Sequence, residues 1–184
     1  MTAVGGDRLT PRAGEIVAAA RRILERDGES ALTMRRLAAH LGMKAPSLYK
    51  HFSDKEAVEV ELIAIAFEET AEAFEAAVAG GAQRPITALA GAYRAYARAH
   101  PHLYRLMTDR PLPRERLPEG LEARAAGPIL QAMGAVASAR AAWGMAHGLV
   151  MLELNDRFPP DADVDAAWEA GVAALESAKT TEHA

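Results

Sequence analysis

Alanine takes 42 of the 184 positions, while Val, Ile and Thr together take 23, as 9, 6 and 8. Alanine costs least to fix in a helix, and β-branched residues pack best on a pleated sheet. The balance points to an all-α fold. The length suits one domain of ordinary size or a small domain joined to a larger one. Cysteine is absent, so no disulfide framework, Cys-based zinc site or thiol nucleophile is available. The opening MTAVGGDRLT has no apolar stretch of the signal-peptide kind, and no apolar run approaches the roughly 18 residues of a membrane span. The expectation is a soluble cytoplasmic chain that makes no membrane contact.

Charge divides the chain. The whole carries a net −4 with pI near 5.9, which taken as an average argues against a nucleic-acid binder. Residues 1–55 hold 10 Lys and Arg against 6 Asp and Glu, a net +4. Residues 56–184 hold 11 against 19, a net −8. Two segments of opposite sign suggest two tasks.

Helical punctuation is frequent. Thr10 and Pro11 open a first helix carrying Ile16, Ala20, Ile23 and Leu24, and Gly28 closes it. Thr33 caps a second, with Leu37, Ala38 and Leu41 inward before Gly42. A third, short helix starts near Ala45 and Pro46, with Leu48 and Phe52 inward. Ser53 and Glu56 have capping-box spacing for a long helix to about residue 79. Further helices are expected over 85–99, 102–108, 121–136, 139–154 and from Asp161 or Asp163 onward, with a frayed tail from Thr180. Gly127 and Pro128 should kink or divide the 121–136 helix. Residues 109–120, with three prolines and four charged residues over 110–116, read as the most flexible loop. The 139–154 helix is apolar on most sides and is expected to be buried.

The segment TMRRLAAHLGMKAPSLYKHF, Thr33 to Phe52, has helix-turn-helix spacing. Two helices cross closely when a small residue lies at the crossing, a glycine takes positive φ in the turn, and apolar residues lock the pair. Ala38, Gly42, Leu37 and Leu48 supply these. His51 stands where a buried Ile or Val is commoner, which leaves Phe52 to close the core.

This segment resembles the reading head of the TetR family of one-component transcriptional regulators. Leu41, Gly42, Ser47, Leu48, Tyr49, His51, Phe52, Lys55 and Glu56 fall where that family's pattern expects them, and the match covers roughly residues 10–60. AAWGMAHGLVMLEL, with Trp143, His147 and Gly148, resembles a Trp-His-Gly type of the family's effector domain, and AYARAHPHLYRLM over 95–107 fits the same type.

The resemblance implies a helix-turn-helix DNA-binding domain at residues 1–53 and a helical effector-binding and dimerisation domain at 54–184. The third helix would enter the major groove of operator DNA. Lys44 would reach phosphate or a guanine edge, and Ala45 and Pro46 a thymine methyl, with Ser47 beside them. Tyr49, Lys50 and His51 lie on the exposed side, the aromatic and His positions facing the backbone. Thr33 and Lys55, at helix starts, are candidate phosphate clamps. Arg8 and Arg12 are candidate arm contacts, whereas Arg35 and Arg36 are equally well read as solvated.

Such heads work in pairs on half-sites about 34–36 Å apart, so a homodimer is expected, and the resemblance implies that it forms as a four-helix bundle of two helices per subunit. Gly144, Gly148, Trp168, Gly171, Val172 and Leu175 are its candidate contacts. Tyr93, Tyr96, Tyr104, Met107, Trp143 and His147 combine apolar bodies with polar or soft tips, and are candidates to bind an unidentified small-molecule effector. The function implied is a homodimeric repressor released from its operator by that molecule. An activator of the same fold, or a DNA-binding protein without an inducer, are the alternatives. An enzyme is not expected: there is no phosphate-binding glycine loop, H-E-x-x-H or nucleophile elbow. His100, His102 and Asp109 lack a further clustered ligand, so no metal, catalytic residue or cofactor is assigned.

Overall fold

The computed structural model describes residues 9–181, which are all-helical. In chain order they form α1 (Pro11–Asp27), α2 (Met34–His40), α3 (Ala45–Leu48), α4 (Lys55–Val78), α5 (Pro85–Ala99), α6 (Pro101–Thr108), α7 (Leu121–Met133), α8 (Val136–Leu154) and α9 (Val164–Thr181). Short 3-10 turns cover Glu29–Ala31 and Arg114–Arg116. No helix among the described residues is long and apolar enough to cross a membrane.

Side-chain caps set the starts of α1, α2, α4 and α9. Thr10 Oγ1 accepts the Ala13 N–H at 3.3 Å and Thr33 Oγ1 the Arg36 N–H at 3.1 Å. Asp163 Oδ1 accepts from Ala166 at 2.9 Å. The expected Ser53–Glu56 capping box does not form. Asp54 takes the cap instead, its Oδ1 accepting the Ala57 N–H at 2.7 Å while the Ser53 hydroxyl donates to its other oxygen at 2.9 Å. A carboxylate is the stronger acceptor at a helix start, where the backbone dipoles also favour negative charge. Pro128 lies inside α7 without dividing it. The tail helix continues through Thr181.

The fold separates into two compact units, each made of two stretches of sequence: residues up to Glu69 with His100–Leu121, and Thr70–Ala99 with the residues from Glu122 onward. In the first unit, Ile16, Ile23 and Leu24 of α1, Leu37 of α2, Leu48 of α3 and Leu62 of α4 share one core with Leu103 and Leu106 of α6, all essentially inaccessible. Leu112 and Leu117 pack against this core from the 109–120 segment. That segment is therefore anchored as well as proline-rich. Gly28, at φ +80° and ψ 173°, adopts a backbone state reserved for glycine, and a methyl there would lie 3.4 Å from the His102 ring.

In the second unit α5, α8 and α9 pack pairwise. Arg94 of α5 joins all three: its guanidinium donates to Glu153 at 3.0 Å, pairs with Asp165 at 2.6 Å and lies 5.4 Å from the Trp168 ring centroid. Trp168 Nε1–H donates to the same Glu153. Burial opposes the Arg94 charge, but these carboxylates outweigh it and hold the guanidinium more firmly protonated than a free one. The expectation that α8 is buried on most sides is corrected. Ala142, Ala146 and Val150 are buried, whereas Val136, Trp143 and Leu152 are exposed.

The cap at α4 has a pH signature. Asp54 is held below the ordinary 3.8, first by the Ala57 N–H and then by the Ser53 hydroxyl. A depressed folded pKa contributes stability that is complete above the unfolded value and is lost as pH falls through the folded one. Asp54→Ala should lower Tm by a few degrees at pH 7. In thermal unfolding followed by circular dichroism, the gap should begin to narrow as pH falls below 3.8 and close once Asp54 is protonated in the folded chain as well.

Candidate DNA interface and effector cavity

The turn between α2 and α3 is set by three backbone bonds. Leu41, Gly42 and Met43 N–H groups donate to Leu37, Ala39 and Ala38 carbonyls at 3.1, 3.1 and 2.9 Å. The Met43 bond closes a Schellman-type stop, and Gly42 meets its need for a left-handed residue with φ +63°. After α3 the helical pattern persists for one more turn, with Phe52 N–H donating to the Leu48 carbonyl at 3.2 Å. Leu48 and Phe52 are both buried. They turn one side of this short segment inward, leaving Lys44, Ala45, Pro46, Tyr49, Lys50 and His51 exposed and Ser47 half-buried. Tyr49 is 51% exposed, high for a tyrosine in a folded domain. His51 is exposed, and Phe52 beside it is buried in the core.

The cations of this unit fall into two groups. Arg35, Lys44 and Lys50 are exposed and make no ion pair among the described residues. Arg36 pairs with Asp27, and Arg12 with Glu15. Asp27 is held below its ordinary range chiefly by the hydrogen bond from Arg26, with Arg36 adding to it. Thr33 is exposed, and accepting from Arg36 leaves its hydroxyl hydrogen free to point outward. Arg8 lies outside the described residues.

Lys55 is drawn inward. Its Nζ lies 2.8 Å from Glu59 and 3.7 Å from Glu29. Arg110, from the segment after α6, completes a four-member network by pairing with Glu59 at 2.8 Å and with Glu29. Burial works against the Arg110 charge, and the two carboxylates overcome it. Arg116 reaches Glu56 at 3.1 Å, so the segment is tied twice to the first turns of α4. No sequence pattern connects Arg110 with Glu59, because 51 residues separate them.

The second unit encloses an apolar cavity of about 30 Å³, partly open to solvent. Phe74, Ile86, Leu89, Tyr93, Met133 and Trp143 are prominent in its wall. Tyr93 stacks on Phe74 at 6.2 Å between ring centroids. Of the sequence-derived candidates, Tyr93 and Trp143 line it. Tyr96 is buried on α5 outside the lining, and His147 is half-buried one turn beyond Trp143, 6.3 Å from it. Tyr104 and Met107 belong to the other unit, Tyr104 buried and Met107 packed on that unit's core. Ile86, Leu89 and Tyr93 recur at i, i+3 and i+7, the signal that marks the cavity side of α5.

The six dimer candidates also separate. Gly144 and Gly148 are exposed, and a methyl on either would meet no atom within 4 Å. Trp168 and Val172 are buried within the chain, Leu175 lines the cavity, and Gly171 makes room for Met145, whose Sδ would lie 2.8 Å from an added methyl.

Arg110→Ala should leave Glu59, whose side chain is 6% exposed, with Lys55 as its cation among the described residues. Urea unfolding should show a loss of ~2 kcal/mol, less than for a wholly buried pair because solvent screens the partly exposed guanidinium. Combining it with Glu59→Gln should recover part of that loss.

Two family descriptions match the chain. "Bacterial regulatory proteins, tetR family" covers residues 16–62, and "Tetracyclin repressor-like, C-terminal domain" covers residues 86–175. An uncharacterised HTH-type transcriptional regulator of Mycobacterium tuberculosis, Rv0681, is 36% identical over 98 residues, which span 53% of this chain and 45% of that relative. The chain thus aligns with under half the length of that curated relative. The crystal structure of SCO4313 is 27% identical with a TM-score of 0.75, covering 89% of this chain and 94% of that one. A TetR variant from Acinetobacter baumannii AYE, crystallised with minocycline, has the same fold at 23% identity, a TM-score of 0.69 and 96% and 99% coverage. Matched in both its N-terminal and C-terminal parts, the chain belongs to the TetR family of bacterial transcriptional regulators.

Proposed function

We propose that the chain is a homodimeric, sequence-specific DNA-binding repressor that releases its operator when a small molecule binds the C-terminal unit. The observation that carries the reading is the outward row of Lys44, Tyr49 and Lys50, held in place by Leu48 and Phe52 and free of carboxylate partners among the described residues. Cations already neutralised inside the protein add little to a polyanion. Unpaired cations beside a helix short enough to sit in the major groove can release counterions and reach base edges. Ala45, Pro46, Ser47, His51 and Thr33 would complete the contact surface. Lys55 would join it by exchanging Glu59 and Glu29 for a phosphate.

Dimerisation is supported by the open side of α8. Val136, Trp143, Gly144, Gly148 and Leu152 are exposed there, and on α9 the exposed Ala166, Ala170, Ala173 and Ser177 recur at helical spacing. Two such pairs of helices would make a four-helix bundle. Trp143, His147 and Gly148 on one stretch of α8 also support a Trp-His-Gly type of effector domain. For release, α4 is the element to move, since one continuous helix contributes to both compact units. The small molecule must prefer the state that cannot hold both half-sites, because equal affinity shifts nothing.

A duplex selected from a random library tests the DNA reading. Wild type should prefer it to random DNA at one fixed salt concentration. Lys44→Ala and Lys50→Ala should each flatten the slope of log affinity against log salt by about 1 if the side chain holds one phosphate. Equal binding of selected and random DNA, or unaltered affinity in both variants, would overturn the reading. For the dimer, Gly148→Leu should preserve the helical circular-dichroism signal while moving the sedimentation mass from two chains toward one.

A further inference from the structure

Among the described residues the cavity wall carries no charged side chain. Its polar side-chain groups are the Tyr93 hydroxyl and the Trp143 indole N–H; the remaining lining residues are Ala, Ile, Leu, Met and Phe. A charged ligand entering there would surrender its hydration without an ionic partner, which is strongly unfavourable. The wall favours flat apolar surfaces, since Phe74 and Tyr93 are stacked with 22° between their planes and Trp143 adds a third ring. At about 30 Å³ the cavity has room for little beyond a water. Met133 and Met145 in the wall are the side chains that can rotate aside to enlarge it.

Trp143 has two surroundings at once. It lines the cavity, yet it is 52% exposed. At about 100° per residue along α8, it stands between the buried stripe of Ala142, Ala146 and Val150 and the open stripe of Arg140, Gly144 and Gly148. In a single chain its outer side faces water. The same ring therefore borders the cavity on one side and the open α8 surface on the other.

We propose that the effector is an uncharged, largely apolar aromatic molecule, and that Trp143 is a wall shared by its cavity and by the surface on which a second copy docks. Ligand binding and dimerisation are thereby coupled through one side chain. The coupling rests on the dimer reading given above; the ligand class does not. A second copy seated over Gly144 and Gly148 would cover the outer side of Trp143 and hold the wall that the ligand needs.

The test uses the full chain, isothermal titration with two matched pairs, indole against indole-3-carboxylate and naphthalene against 1-naphthoate, and sedimentation of the same samples. Both neutral probes should bind, each at least ~10-fold more tightly than its carboxylate, as expected for an unpartnered charge. Gly171→Ala displaces Met145, a residue of the cavity wall, and should change indole affinity while the dimer persists. Gly148→Leu lies outside the cavity wall and should weaken indole several-fold as the dimer dissociates. Trp143→Ala should lower both affinities.

Carboxylates binding as tightly as their neutral partners, or no binding of either neutral probe, would overturn the ligand class. Monomeric Gly148→Leu protein that binds indole as well as wild type would overturn the coupling alone. Gly148→Leu protein that stays dimeric would overturn the dimer face and the coupling together. Indole binding with unchanged operator affinity would refute release by the ligand and leave the assignment of ligand class and shared wall standing.

Discussion

A helix of four residues has no stability of its own, since nucleation costs more than one turn returns. The orientation of α3, and with it the direction of every side chain on the proposed reading surface, depends on Leu48 and Phe52 being buried. Their core is built by α1, α2 and α4 and completed by Leu103 and Leu106 from a helix some fifty residues downstream. Loosening that core would alter DNA recognition without touching one exposed cation. The reading surface is rigid to the extent that the core behind it is well packed.

Electrostatics divides labour within the same unit. Arg36, Lys55, Arg110 and Arg116 spend their charge on Asp27, Glu29, Glu56 and Glu59, so they organise the protein. Lys44, Lys50 and Arg35 have no such partners among the described residues and leave their charge outward. The local net charge of +4 therefore understates how unevenly positive potential is distributed. The acidic excess of the longer segment reduces stray contact with DNA by the part proposed to dimerise and to hold the effector.

The two functional areas were legible in sequence to different degrees. Caps at Thr10 and Thr33, the glycine stop at Gly42, and the inward Leu37, Ala38 and Leu48 all follow from neighbours within a few positions. At the start of α4 Ser53 and Asp54 are adjacent competent acceptors, and the stronger carboxylate takes the cap while the hydroxyl supports it. The cavity was harder to foresee. An aromatic with a polar tip looks the same whether it faces a cavity or a core, so Tyr93 and Trp143 could not be told from Tyr104 and Met107 by residue type. Trp168 and Val172 posed the matching problem, since an apolar stripe does not state which helix will cover it.

The all-helical class, the helix-turn-helix and the opposite charge of the two segments follow from the order of residues alone, because propensity, capping and charge are local or additive properties. Folding in three dimensions was needed to bring α6 into the core beneath α2 and α3, Arg110 to Glu59, and Trp143 between a cavity and an open helix face. Each depends on which distant residues approach in space. An apolar or charged side chain has many acceptable partners, and packing selects among them.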